Sequence, residues 1–246
     1  MTRDISEVWE ELIIEGKRIV YLVLDGAGGL PAAPLGQTAM QARAYAQRRS
    51  PCGDLLLRHA GNGRPRHHTG KRPRTPGAVR LRSAALSHWP RRAGGARHHF
   101  ALQPGDLAAR LNFATLDAQL DAFREHYGDQ YDFYFLHVKG TDSSGENADF
   151  KGKVQVLEQV DRLLPRLLEV QPDVLAITAD HSTPALMGAH SWHPVPVLLH
   201  SPLVRSNGVE AFNEYACSRG MLGLRPGVHL IGLALANAGR LRTFGA

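Results

Sequence analysis

A chain of 246 residues and 26.9 kDa is long enough for one large domain or two small ones, and 43% hydrophobic residues supply a core, which excludes a disordered tail. The formal charge of +6 is unevenly distributed. Residues 39–99 contain thirteen Arg, one Lys and one acidic residue, so this window carries +13 and the rest of the chain carries −7. The composition indicates an acidic globular protein interrupted by a strongly basic segment.

The cysteines and the N-terminus indicate the cellular compartment of the protein. Only Cys52 and Cys217 are present, without a CxxC pair, which excludes a disulfide framework and a thiolate zinc site. Acidic residues among the apolar ones at 5–15 predict an amphipathic helix rather than a signal peptide. The apolar run at 19–24 is too short to cross a bilayer. We therefore expect a soluble, cytoplasmic protein with no membrane partner.

Runs of β-branched residues and leucine predict strands that are buried on both faces. These strands lie at 18–25, within 102–117, and at 131–139, 173–179 and 195–200. Two of them run into polar loops, at 140–150 and 180–193.

Helices are predicted at 118–129, after residue 150, and at 228–241. The second of these helices has an apolar stripe, formed by Val154, Leu157, Val160, Leu163, Leu164, Leu167 and Leu168. Strands that alternate with helices predict an α/β fold, with a mostly parallel sheet covered by helices on both faces. Residues 39–99 show no periodicity, and no fold is predicted for them.

Metal-ligand residue types follow the predicted strands, where open α/β sheets bind their ligands. These residues are Asp25, Asp142, Glu146, Asp180, His181 and His190. Carboxylates mixed with imidazoles suit Mn, Zn or Mg, and two such ions form a clamp for phosphoryl transfer. Any one of these residues alone is equally well interpreted as a helix cap or turn residue. We interpret His137, Lys139 and His193 as loop or supporting residues.

Five sequence segments carry a resemblance to a known family: VLDGAGGLP, FLHVKGTDSSGENADF, VLEQVDRLLPRLL, ITADHSTP and HSWHPVPVLLHSP. Over residues 17–38 and 101–246 the chain resembles the cofactor-independent (2,3-bisphosphoglycerate-independent) phosphoglycerate mutases of the archaeal-type branch, in the alkaline phosphatase superfamily. The resemblance implies an alkaline phosphatase-like core and a glycolytic isomerase that interconverts 2-phosphoglycerate and 3-phosphoglycerate. The implied substrate is therefore a small phosphorylated three-carbon acid.

The resemblance also implies two divalent ions, with Mn as the first choice and Zn, Mg or Co as alternatives. One ion would be held by Asp25, Asp180 and His181 together with a nucleophilic serine. The other would be held by Asp142, Glu146 and His190. Much of the family has His where this chain has Glu146, so we expect a harder, more oxygen-rich site.

The chain departs from the family in two places. No TPGSGPGH-type nucleophile loop occurs in it, but residues 67–85 read one nucleotide later can encode such a loop, with the serine codon spanning Lys71 and Arg72. We therefore interpret 39–99 as a frameshifted, disordered segment, and 1–38 with 100–246 as the metal-binding domain. After Asp117 the sequence passes directly to the part that follows the family's second, substrate-binding domain, so we expect that inserted domain to be missing.

Three hypotheses follow. The first is a mutase by descent with negligible turnover. The second is a cap-less, metal-dependent phosphatase-like remnant, in which water competes as the phosphoryl acceptor. The third is an Arg-rich nucleic-acid-binding protein, which we rank below the enzyme lineage because the basic window lacks interleaved aromatic residues and any recognised module.

Overall fold

The computed structural model describes residues 12–34, 36–42, 108–111, 115–128, 131–205 and 208–242. Five strands form its sheet: β1 (Ile19–Leu24), β2 (Ala108–Leu111), β3 (Phe133–Val138), β4 (Val174–Thr178) and β5 (Leu198–His200). Each lies within a stretch that the apolar runs predict. β5 is shorter than its predicted range.

The strands are ordered β2-β3-β1-β4-β5, and every neighbouring pair is parallel except β4 with β5. The prediction of a mostly parallel sheet is therefore confirmed. In the register, Leu24 pairs with Val138 and Val23 pairs with Thr178. The carboxyl ends of three adjacent strands consequently meet at one edge of the sheet.

Helices cover both faces of the sheet. The described helices are α1 (Ala39–Ala42), α2 (Leu116–His126), α3 (Gly140–Glu146), α4 (Phe150–Leu168), α5 (Glu214–Ser218) and α6 (His229–Asn237). One core cluster joins Leu22, Leu136 and Leu175 to Phe123 of α2 and Leu157 of α4. The other core cluster packs the opposite face of the sheet against α6.

The two long helices begin at side-chain caps. Thr115 accepts a hydrogen bond from the N–H of Ala118 at the start of α2, and Asp149 accepts one from the N–H of Gly152 at the start of α4. Phe123 of α2 is fully buried, and its ring meets that of Tyr134 edge-on at 5.4 Å. The ring contact holds α2 against β3.

The structure differs from the predicted secondary structure at α3 and at α5. The predicted loop at 140–150 contains α3, which forms because Thr141, Asp142 and Gly145 are buried against neighbouring loops, so tertiary packing overrides the low helix propensity of a Gly- and Ser-rich segment. Helix α5 was not predicted. It is short and has no buried residue, so it lacks the apolar stripe that marks a helix in a sequence.

The structure describes the first four residues of the basic segment. Residues 39–42 form α1, and both Ala39 and Met40 are buried, whereas the sequence interpretation ended the folded domain at residue 38. Residues 43–99 lie outside the described residues, as does most of the helix predicted at 5–15. The frameshift interpretation and the nucleic-acid alternative therefore stay predictions.

Candidate metal centre

The sequence-predicted ligands lie at the edge of the sheet where β1, β3 and β4 end. Asp25 directly follows β1, Asp142 and Glu146 lie on α3 just after β3, and Asp180 with His181 follows β4. His190 comes from the longer loop between β4 and β5. All six residues are brought together, some of them buried and some open to solvent.

Asp25 is the buried centre of this cluster. Its Oδ2 lies 3.2 Å from Nε2 of His137 and 3.0 Å from Nζ of Lys139, and its main-chain oxygen accepts a 2.5 Å hydrogen bond from the hydroxyl of Thr141. Burial alone would raise the pKa of Asp25, but contacts with His137, His181 and Lys139 outweigh burial and hold the pKa well below its usual range. Asp25 is therefore an anion at neutral pH.

The surroundings of the second carboxylate oxygen of Asp25, Oδ1, show whether these residues fit a cation. Oδ1 is buried and accepts no hydrogen bond from any described residue, although Nε2 of His181 lies 3.1 Å away. Thr183 donates its hydroxyl proton to Asp142 at 2.6 Å, so at its 3.1 Å contact with Nδ1 of His181 the hydroxyl can only accept.

In this arrangement a neutral His181 carries its proton on Nδ1, as the hydrogen bonds assign it, and turns the bare Nε2 toward Asp25. Metal–ligand bonds of about 2.1 Å in a tetrahedral site separate two ligand atoms by about 3.4 Å. In that neutral form Oδ1 of Asp25 and Nε2 of His181, 3.1 Å apart, have nearly the spacing of two ligands on one ion. Contact with Asp25 raises the pKa of His181, which favours the imidazolium with a proton on Nε2; a cation between the two groups would replace that proton.

A second group of donors surrounds Asp142, whose side chain is fully buried. Nε2 of His190 lies 3.4 Å from Oδ1 of Asp142 and 3.4 Å from Oε1 of Glu146. Lys139 contacts the other oxygen of Asp142. Burial opposes ionisation, but the contacts with Lys139 and Thr183 lower the pKa of Asp142. This group of two carboxylates and one imidazole also fits a divalent cation.

The loops after β1 and β4 are locked together. Gly26 has φ +63°, a conformation that only glycine adopts without strain, and a side chain there would collide with Thr183 and Asp142. Its N–H donates to Oδ1 of Asp180 at 3.1 Å, and its carbonyl accepts from the N–H of Thr183 at 3.1 Å. This close approach sets the spacing between Asp25 and the candidate ligands that follow β4.

The geometry groups the ligands differently from the resemblance. Donor atoms within 4.8 Å of one another define two sets, one of Asp142, His181 and His190 and another of Asp25, His137 and Asp180. His181 belongs to either group, since its Nε2 is 3.1 Å from Asp25 and 4.0 Å from Asp142. The structure gives His137, interpreted from sequence as a supporting residue, the position of a ligand or of a direct partner of Asp25.

The sequence analysis did not identify Lys153, which hydrogen-bonds the backbone of the loops that follow β1 and β4. Its side chain is fully buried, and burial lowers the pKa of its ammonium to about 8 against the attraction of Glu214 and Asp142. A signal was present in the sequence: Lys153 stands four residues before Leu157, on the apolar stripe of α4. A lysine on a buried stripe needs a partner, because an isolated buried charge is costly.

The fold and the site define an α/β protein of the metal-binding type, with carboxylates and imidazoles collected at the carboxyl edge of a parallel sheet. The sequence profile described as Metalloenzyme superfamily matches residues 107–236, more than half of the chain. The chain belongs to this superfamily, and its sheet is an alkaline phosphatase-like core.

Curated relatives carry the name that the motifs suggest, so the resemblance is confirmed. The Thermus thermophilus protein named "Probable 2,3-bisphosphoglycerate-independent phosphoglycerate mutase" is 52% identical over 132 residues, 54% of this chain and 32% of that protein. Its namesake from Thermotoga neapolitana is 42% identical over 176 residues, 71% of this chain and 42% of that protein. The chain thus spans about a third to two fifths of the length of these relatives.

Among solved structures, the PH0037 protein from Pyrococcus horikoshii is 35% identical. The match has a TM-score of 0.49 and covers 52% of this chain and 34% of that one.

Among the described residues, no helix combines the length and the apolar character needed to cross a membrane.

Proposed function

We propose that the chain retains the two-cation phosphate site of a cofactor-independent phosphoglycerate mutase. In this proposal Asp25, Asp180 and His181 hold one Mn²⁺, and Asp142, Glu146 and His190 hold the other. The observation that carries the proposal is that Oδ1 of Asp25 faces Nε2 of His181 at 3.1 Å, beside Asp180, where carboxylate and imidazole donors converge. The names of the curated relatives support the choice of a phosphorylated three-carbon acid as substrate.

The bound cations would supply positive charge that stabilises a phosphoryl group during its transfer. The protein's own residues orient the proposed ligands. Thr183 orients both Asp142 and His181, and His137 orients Asp25. Lys139 bridges Asp25 and Asp142 with a half-exposed ammonium, whose pKa is raised by both carboxylates although partial burial lowers it. Asp180, Glu146 and His190 are exposed, so a phosphate ester reaches the site from solvent.

Mutase turnover needs more than these ligands. The sequence has no TPGSGPGH loop to supply the nucleophilic serine and passes from Asp117 straight to Ala118, where the family continues into its substrate domain. We therefore propose that conversion of 3-phosphoglycerate to 2-phosphoglycerate is negligible, and that any residual activity transfers phosphate to water. The two cysteines and the absence of a CxxC pair lead us to place the protein in a reducing cytoplasm.

Metal binding is tested directly by Mn²⁺ titration of the metal-free full-length chain, followed by electron paramagnetic resonance. We expect two ions per chain in the wild type and a reduced number in Asp142→Asn, which keeps the shape of the side chain but removes its charge. The matched control is Asp121→Asn, since Asp121 is an exposed carboxylate on α2. A wild-type chain that binds no Mn²⁺ contradicts the proposal.

Activity is tested with the same preparation. Conversion of 3-phosphoglycerate coupled to enolase should show no turnover with added Mn²⁺, and ordinary turnover would refute the proposed loss of the mutase reaction. Hydrolysis of a generic phosphate ester distinguishes a phosphatase-like protein from an inert one. Metal-dependent release of inorganic phosphate that disappears in Asp142→Asn indicates a phosphatase-like site.

A further inference from the structure

Lys153 is a fully buried lysine in a position where the helix pattern calls for an apolar residue. It lies in the first turn of α4, four residues before the fully buried Leu157, and its side chain is 0% exposed. Placing an ammonium out of water costs several kcal/mol unless its hydrogen bonds are replaced. The residue therefore has a role that a packed methionine of similar length would not fill.

All three protons of the ammonium are used on backbone oxygens. Nζ donates to the carbonyl of Gly26 at 2.7 Å, to that of Gly28 at 3.0 Å and to that of Thr183 at 2.7 Å. The first two belong to the loop after β1, and the third belongs to the loop after β4. One side chain on a third element thus holds together two loops that are distant in sequence.

Each of these loops carries proposed metal ligands next to the atoms that Lys153 binds. Gly26 follows Asp25 and donates its N–H to Asp180, and Thr183 hydrogen-bonds Asp142 with its hydroxyl. Moving either loop by a few tenths of an ångström would separate Asp25 from His181, whose facing atoms are 3.1 Å apart. The charge of Glu214 also attracts the ammonium, and the Glu214 carboxylate accepts a hydrogen bond from the N–H of Gly29 in the loop after β1.

We propose that Lys153 is a positioning residue of the metal centre, which fixes the distance between the two ligand loops through their backbone carbonyls. This inference rests on the two-cation site proposed above. The hydrogen bonds of Lys153 go to backbone carbonyls, so it acts through the backbone geometry. Substitution of partners that orient metal ligands typically lowers metal affinity by about 10–100-fold, and we expect Lys153 to fall in this range.

The test compares the Mn²⁺ dissociation constants of full-length wild type, Lys153→Met, Lys153→Gln and the control Lys151→Met. Lys151 is exposed two residues earlier on the same helix, so Lys151→Met removes the same charge from the surface of α4. We expect Lys153→Met to weaken Mn²⁺ binding by about 10–100-fold. Lys153→Gln should recover part of the affinity, because its amide donates two hydrogen bonds, and Lys151→Met should match the wild type.

Urea unfolding in the presence of a chelator is measured on the same variants. A purely structural role would lower the unfolding midpoint but leave the dissociation constant of the folded fraction unchanged, and this result overturns the inference. If neither Lys153 variant folds, the residue is a determinant of the fold, and the inference is again overturned. If the wild type and Lys151→Met bind no Mn²⁺, the two-cation site itself is wrong, whereas equal binding by all four proteins refutes only the role of Lys153.

Discussion

Thr183 offers a sharp test of how the site is organised, because a single hydroxyl serves two proposed ligands. Its side chain is fully buried, donates to Oδ1 of Asp142 at 2.6 Å and contacts Nδ1 of His181 at 3.1 Å. Thr183→Val replaces the hydroxyl with a methyl group of similar size, so the packing is preserved. The substitution leaves a buried carboxylate oxygen and a ring nitrogen without their shared partner.

Two magnitudes follow from these contacts. A hydrogen bond to a charged group contributes about 1.5–3 kcal/mol, so Thr183→Val should lower the free energy of unfolding by about this amount without metal. The loss of ligand orientation should weaken Mn²⁺ binding by about 10–100-fold. That decrease corresponds to about 1.4–2.7 kcal/mol of binding free energy.

Thr178→Val is the matched control. Thr178 is a buried threonine at the end of β4, and its hydroxyl lies 3.3 Å and 3.2 Å from the backbone oxygens of Ala179 and Pro196. Its removal should cost about 1 kcal/mol of stability and leave Mn²⁺ affinity unchanged. Urea unfolding and Mn²⁺ titration of the three proteins give both quantities. A Thr183→Val protein that binds Mn²⁺ as tightly as the wild type would refute the reasoning.

Three further substitutions test separate parts of the structure. Tyr21→Phe should raise the free energy of unfolding by about 1 kcal/mol in urea, because the Tyr21 hydroxyl is buried with no hydrogen-bond partner among the described residues; a loss of stability contradicts this. Glu146→His should shift the preference from Mn²⁺ toward Zn²⁺ in competitive dialysis, since imidazole is a softer ligand than carboxylate, and an unchanged ratio would exclude Glu146 as a ligand. Leu157→Ala should cost about 2–5 kcal/mol in thermal or urea unfolding, whereas Leu203→Ala, on an exposed leucine, should stay within about 0.5 kcal/mol.

Much of the sheet could be predicted because its strands are buried on both faces. All six residues of β1 and all five of β4 are buried, so each strand is an unbroken apolar run that requires no knowledge of its neighbours. The same logic predicts where the candidate ligands lie, since parallel strands deliver the residues after them to one edge. The sequence therefore predicts that Asp25 and Asp180 lie at this edge.

The features that could not be predicted depend on tertiary packing. Helix α3 exists because Gly145 packs against the backbone of Thr183, a contact between segments about forty residues apart. The grouping of the candidate ligands depends on where the imidazole of His181 lies, and His137, interpreted from sequence as a loop or supporting residue, lies within β3. A linear pattern contains no information on either point.

The local origin of the ligands explains how a metal site can persist in a chain that spans only part of its relatives' length. Every proposed ligand comes from β1, β3 or β4 or from the segment that follows one of them, and these are three adjacent strands of one sheet. Lys153 and Thr183 brace the same segments. In the family, the serine loop and the substrate domain come from other parts of the sequence, which this chain lacks. We therefore expect cation binding and mutase turnover to be separable, and a protein that binds two Mn²⁺ ions without interconverting the phosphoglycerates is the outcome that this arrangement predicts.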